Sequence, residues 1–164
     1  MKKYELTDET IDVSGTTLHR IKALKDFGNV KKGELGGYVE SERNLSQEGN
    51  CWVCGNAKVC GDAEVCGNAK VYGNAWVYGN AEVCGNARVY GDADYITIKG
   101  LGSKYRNTTI FRTKENIAVK CGCFYGTLAE FVDKVKETHG NSKFTKEYLA
   151  LIDLVKIHFE LEDK

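Results

Sequence analysis

The sequence predicts a mainly β protein: a coil of very short strands, a β cap before it, and strands plus two α-helices after it. Three observations carry this. Valine recurs every six residues at Val53, Val59, Val65, Val71, Val77, Val83 and Val89. Each valine is followed two residues later by Gly, then by Asn or Asp, then by Ala, as in "VCGNAKVYGNAWVYGNA". The 164 residues include no proline, which would interrupt a strand ladder by removing a backbone donor.

Side chains alternate between the faces of a strand. In Ala-x-Val-x, therefore, Ala and Val face one way and the two variable residues the other. Gly-Asn or Gly-Asp then turns a corner, because these residues tolerate the left-handed backbone region. Each hexad is a short strand plus a corner, with Val and Ala inside. The variable residues decorate the outside.

This run, Cys51 to about Tyr95, resembles the hexapeptide-repeat, left-handed parallel β-helix family. A weaker lead-in, "GGYVESERNLSQEGN", starts at Gly36. The resemblance implies three hexads per triangular coil and, in many members, a trimer. One departure is the Cys or Tyr that follows each valine. Residues one coil apart would then stack roughly 4.8 Å apart on three faces. Face one carries Trp52, Cys54, Lys70, Tyr72, Arg88 and Tyr90. Face two carries Lys58, Cys60, Trp76, Tyr78 and Asp94. Face three carries Glu64, Cys66, Glu82 and Cys84.

Residues 1–40 read as the N-terminal β cap, with "ETIDVSG" and "TTLHRIKALKDF" as strands around Ser14-Gly15. A cap is expected because an open coil end exposes unpaired backbone. Residues 41–95 form the repeat body and residues 96–164 the C-terminal region. There "DYITIKG", "TTIFRTK" and "NIAVKCGCF" read as strands. Thr127 and Glu130 form a capping box before a helix that stops at His139-Gly140. A second helix, capped by Ser142 or Thr145, buries a stripe of Tyr148, Leu151, Ile152, Val155 and Phe159. Leu149, Leu154 and Ile157 widen that stripe, so this helix is expected between subunits or between coil and cap. The segments "RIKALKDFG", "GELGGYVE" and "CGCFYGTLAEFVDKVKETHG" resemble small hexapeptide-repeat proteins of phages and prophages, grouped as polymer-forming proteins or acyltransferases.

Lys plus Arg equals Asp plus Glu, 23 each, which argues against general DNA binding. The chain has no apolar run long enough to span a membrane, and "MKKYELTDET" does not read as a secretory signal. A cytoplasmic protein is expected, in the bacterial host if phage-encoded. Seven cysteines, an odd number, disfavour a disulfide framework there. Cys66 and Cys84 should stack on adjacent coils as a reduced pair. Cys51 and Cys54 point opposite ways and Cys121-Gly-Cys123 has no second pair, so no metal site is expected.

Acyltransferases of the resembled family use a histidine base. The chain has His19, His139 and His158, none of them in the hexads. His19, on an N-terminal strand, is the one retained as a candidate; packing in the cap is its bland reading. Catalytic residues are otherwise expected to be none, and no cofactor is expected. Aromatic and cationic residues on the coil, namely Trp52, Lys70, Tyr72, Trp76, Tyr78, Arg88 and Tyr90, suit stacking on a base and pairing with phosphate. The same residue types also suit subunit contact. The leading reading is a non-catalytic, phage-like oligomer: a few coils bury only a thin valine column, which leaves a lone chain marginal, and the resemblance implies a homotrimer. It would act as a counter-defence sponge that sequesters a small nucleotide signal at subunit interfaces. The alternatives are an acetyl-CoA-dependent hexapeptide acyltransferase and a structural scaffold for a host protein.

Overall fold

The computed structural model describes residues 1–162. The chain is mainly β, with many short parallel strands in small sheets followed by two helices, an arrangement consistent with a short β-helix. β1 (Tyr4–Val13) and β2 (Thr16–Ala23) form an antiparallel hairpin. Its turn is Ser14-Gly15, both at positive φ, with the Gly15 amide donating to Asp12 Oδ1. β3 (Leu35–Val39) pairs antiparallel with β2 and then parallel with the first sheet of the coil. The hairpin and the coil therefore share one sheet.

The hexads supply β4 (Trp52–Val53), β5 (Lys58–Val59), β6 (Glu64–Val65), β7 (Lys70–Val71), β8 (Trp76–Val77), β9 (Glu82–Val83) and β10 (Arg88–Val89). The hexad strands pair in parallel three places apart, as β5-β8, β4-β7-β10 and β6-β9, and β3 lies parallel on β5. Valine stands opposite valine at each pairing within the repeat: Val59 on Val77, Val53 on Val71, Val71 on Val89, Val65 on Val83. Val39 and Leu45 extend the column upward, onto Val59 and Val65. All seven repeat valines are fully buried, and so, or nearly so, are the repeat alanines from Ala57 to Ala87; Ala93, after the last strand of the coil, is exposed. Burial of a valine side chain contributes about 1.5–3 kcal/mol, so this column is the main apolar stabilisation of the coil.

Both ends of the column are closed. At the top, Tyr4 is buried against Trp52, and its hydroxyl donates to Leu45 O at 2.6 Å. Buried Lys3 donates through Nζ to the carbonyls of Glu48 and Cys51 and lies 3.2 Å from Cys51 Sγ. At the bottom lies an antiparallel sheet of β11 (Tyr95–Leu101), β12 (Arg106–Arg112), β13 (Ile117–Cys121) and β14 (Phe124–Thr127). Phe111 of β12 is buried in the same core as the valine column. Thr109 Oγ1 accepts from the Glu82 amide, and the Tyr95 hydroxyl donates to Trp76 O.

β14 is a fourth strand where the sequence suggests three. It arises because Gly122-Cys123 turns the chain tightly enough for Cys121 to pair with Phe124. α1 (Leu128–His139) starts at the expected box: the Glu130 amide donates to Thr127 Oγ1 and the Thr127 amide to Glu130 Oε2. It ends at Gly140, with φ 56°. α2 (Lys143–His158) begins after Ser142 and buries the expected stripe against α1 and the β11–β14 sheet. Leu154 and Ile157 remain exposed, Ile157 at 76%. His158 Nε2–H donates to Ala93 O, which ties the end of α2 to the last corner of the coil.

Candidate functional site

Every outward residue of a hexad leaves the coil from a strand only two residues long or from the position just after it. Its direction is set by the alternation, but its exposure is set by what lies over it. On β4-β7-β10 the segment after β2 folds across the upper strands. Trp52 is completely buried, with Phe27 edge-on at 5.3 Å and Tyr4 at 6.2 Å between ring centroids. Lys70, directly beside Trp52 in register, is only 6% exposed, with its Nζ 5.9 Å from the Phe27 ring. Neither Trp52 Nε1 nor Lys70 Nζ has a hydrogen-bond partner among the described residues. Burial holds the Lys70 ammonium below the usual lysine range. Trp52 and Lys70 are therefore not displayed as the repeat alone suggests. Phe27 and Val30, buried from outside the repeat, turn the upper part of this face into interior.

Lower on the same face the surface is open. Tyr72 and Tyr90 stack with centroids 4.8 Å apart and planes 7° from parallel. Tyr90 is 60% exposed; Tyr72 is half-buried, and burial raises its phenol above the usual value. Arg88 is half-buried and its Nη1 donates to the carbonyls of Asn68 and Ala87 at 2.9 and 2.8 Å. Part of its donor set is thus spent on holding the corner of the coil.

On β3-β5-β8 the hairpin covers the upper strands with Leu18, next to buried Tyr38 and Cys60. Arg20 lies over the Tyr38 ring at 4.7 Å. Trp76 is half-buried and its Nε1–H donates to Cys60 Sγ at 3.1 Å. Tyr78, 53% exposed, leans on Trp76 at 4.9 Å between centroids. On β6-β9, Cys66 and Cys84 are joined in a disulfide rather than lying reduced. The parallel register brings their Cα atoms to 4.6 Å, within bonding reach.

Of the seven predicted binding residues, five thus retain exposed or half-exposed surface: Tyr72, Trp76, Tyr78, Arg88 and Tyr90. Arg88 also lines a cavity of about 500 Å³ between the coil and the C-terminal sheet, with Asn86, Asn116, Tyr125 and Glu130. That volume lies within the usual range for small-molecule sites. Tyr125 is positioned by its hydroxyl, which accepts from the Asn86 amide. Asn86 is a corner residue of the repeat, but Asn116, Tyr125 and Glu130 come from a turn, a strand and a helix after the repeat ends, and nothing in the hexad pattern signals them.

His19 is half-buried on β2. Its Nδ1 lies 3.2 Å from Thr7 O. A carbonyl only accepts, so Nδ1 carries the proton and Nε2 keeps its lone pair. His19 does not line the 500 Å³ cavity. His139 stacks on Tyr148, and His158 is bound to the Ala93 carbonyl. Among the described residues, no group of three or more His, Cys, Asp or Glu side chains is placed to hold a metal ion. No described helix is long and apolar enough to cross a membrane.

The chain is similar to the uncharacterized acetyltransferase YdcK of Escherichia coli (strain K12), 39% identical over 61 residues. The similar segment covers 32% of this chain and 19% of that relative, so the match spans about a fifth of the relative's length. No protein-family model matches the chain.

Proposed function

We propose that this chain is an acetyl-CoA-dependent acyltransferase built on a left-handed parallel β-helix of hexapeptide repeats and working as a homotrimer. The observation that carries the reading is the partial similarity to an acetyltransferase in a chain whose short strands stack in parallel, coil on coil. What supports subunit contact in this reading is the exposed aromatic surface of the coil, Tyr78 and Tyr90, a residue type that interfaces favour. The acceptor would meet the thioester in a groove between subunits.

His19 is the base in this reading. Its Nδ1–H is fixed on Thr7 O, which leaves Nε2 as the nitrogen that accepts a proton. An acceptor hydroxyl or amine gives its proton to Nε2 as its oxygen or nitrogen bonds to the thioester carbonyl carbon. The carbon–sulfur bond breaks, and the CoA thiolate takes up the proton. The test is release of free CoA thiol from acetyl-CoA in the presence of hydroxyl and amine acceptors. Turnover that is lost in His19→Ala supports the assignment. Turnover unchanged in His19→Ala removes His19, and no acetyl-CoA binding by calorimetry removes the activity.

A second reading, capture of a small nucleotide signal without chemistry, is favoured by the parallel Tyr72–Tyr90 stack beside Arg88. Stacking on such rings contributes about 1–3 kcal/mol per base. Incubation with cyclic nucleotides followed by heat denaturation would release intact ligand; no release and no binding heat would end this reading. A scaffold for a host protein would instead give partner capture with neither ligand.

A further inference from the structure

The C-terminal region contains a cavity of about 270 Å³ away from the hexads, formed where the β11–β14 sheet meets α1 and α2. Its chemistry is one-sided. Phe124, Phe131, Val135 and Tyr148 give it an apolar, largely aromatic wall. Phe131 stands edge-on to Tyr148 at 5.3 Å, and Phe124 leans on Phe131 at the same distance, so the wall is packed and preformed.

Around the mouth stand three cations, Lys104, Arg106 and Lys134, and no lining residue is a carboxylate. Lys134 is neutralised in part by Glu137 at 3.1 Å. Lys104 and Arg106 are exposed and form no ion pair among the described residues. Two such cations over an aromatic wall, with Glu137 held on Lys134 and Glu147 on the Gly102 amide and neither acid among the lining residues, leave the mouth positive, a field that a cleft intensifies.

At the inner end lies half-buried Cys121. Thr108 Oγ1 donates to its sulfur at 3.3 Å, and the Tyr148 hydroxyl is 3.9 Å from it. His139 covers the Tyr148 ring, 6.0 Å between centroids and 22° from parallel. Burial and the neighbouring thiol push the Tyr148 phenol up to about 12, so it remains a neutral hydroxyl at ordinary pH.

We propose that this cavity binds a small aromatic oxyanion. Its phosphate or carboxylate pairs with Lys104 and Arg106, and its single ring lies on the wall of Phe124, Phe131 and Tyr148. The volume falls just below the usual range for small-molecule sites, which limits the occupant to about one ring and its anionic group. Cys121 and His139 face that ring, so the occupant screens both from solvent. The inference stands apart from the acyl-transfer reading, because none of the lining residues belongs to the coil.

The test uses the full chain with phenyl phosphate, benzoate and inorganic phosphate as probes, followed by calorimetry at low salt. Phenyl phosphate or benzoate is expected to bind, and inorganic phosphate to bind about tenfold more weakly because it leaves the wall unused. The surface double variant Lys104→Gln/Arg106→Gln is expected to lose about tenfold or more in affinity while keeping its unfolding midpoint. In a Cys123→Ser background, the bound aromatic probe is expected to slow alkylation of Cys121 by iodoacetamide. The proposal is overturned by no heat from either aromatic probe, by equal affinity in the double variant, or by equal affinity for inorganic phosphate. Alkylation of Cys121 that is unchanged at saturating probe would place the ligand elsewhere and overturn it equally.

Discussion

Tyr72 and Tyr90 lie on adjacent coils with their rings parallel and 4.8 Å apart, the spacing of the strands that carry them. The stack is a by-product of register: identical positions on neighbouring parallel strands must sit above one another. Such pairs contribute about 0.5–1.5 kcal/mol beyond their buried area. Tyr90→Ala should therefore lower stability by about 1 kcal/mol in urea unfolding, with the fold retained by circular dichroism. If the nucleotide reading holds, the same variant loses ligand capture while Tyr105→Ala, exposed in the turn between β11 and β12, does not.

Lys70 is a liability to stability. A buried donor left without a partner costs about 1–3 kcal/mol, and a charged one more. Lys70→Met should raise the urea midpoint at pH 7. Its pH dependence has a defined sign. The folded-state value of Lys70 lies below 10.5, so between the two values the unfolded chain binds the extra proton, and stability of the natural protein rises with pH. The advantage of Lys70→Met should therefore shrink as pH climbs toward 10.5. A constant advantage across that range would show that the charge of Lys70 is not what destabilises it.

The Cys66–Cys84 bond closes a single coil of the repeat, with a sequence separation of 18. Cross-linking a loop of that size stabilises by about 3 kcal/mol through the unfolded chain. Reduction by dithiothreitol, or the Cys66→Ser/Cys84→Ser pair, should lower unfolding free energy by about that amount. Intact-mass analysis after thiol alkylation of the unreduced protein in denaturant, where buried Cys51 and Cys60 become accessible, should show five reactive thiols, matching the five free cysteines.

Gly37 tests how tightly β3 lies on the coil. A Cβ added there would collide with the Ala57 carbonyl oxygen and with Val53 Cγ1. Its φ is not in the left-handed region, so the objection to a side chain is purely steric. Gly37→Ala should cost about 1–3 kcal/mol or more. Gly91→Ala is the control: its backbone is extended and nothing stands within 4 Å of the added carbon, so its midpoint should change little.

Much of the fold was legible because the hexad is a local code. Val59 faces inward whatever the rest of the chain does, since alternation within one strand decides it. The same holds for the Ser14-Gly15 turn, the Thr127–Glu130 box and the buried stripe from Tyr148 to Phe159, each specified within a few residues. The candidate surfaces were legible only in part. Pointing outward is local, but staying exposed is not, and Trp52 and Lys70 lost their exposure to Phe27, which no repeat position announces.

By itself, then, the sequence determined the valine column, the corner chemistry and the direction of every decorated position, because each depends on backbone geometry over six residues. Only the tertiary structure decided which decorations reach solvent, that Cys66 meets Cys84 as a bond, and that Arg106, Cys121, His139 and Tyr148 share one cavity. Those outcomes need segments far apart in the chain to pack together. The energy that brings them together comes from apolar burial, which has no direction and leaves no short-range signature in the sequence.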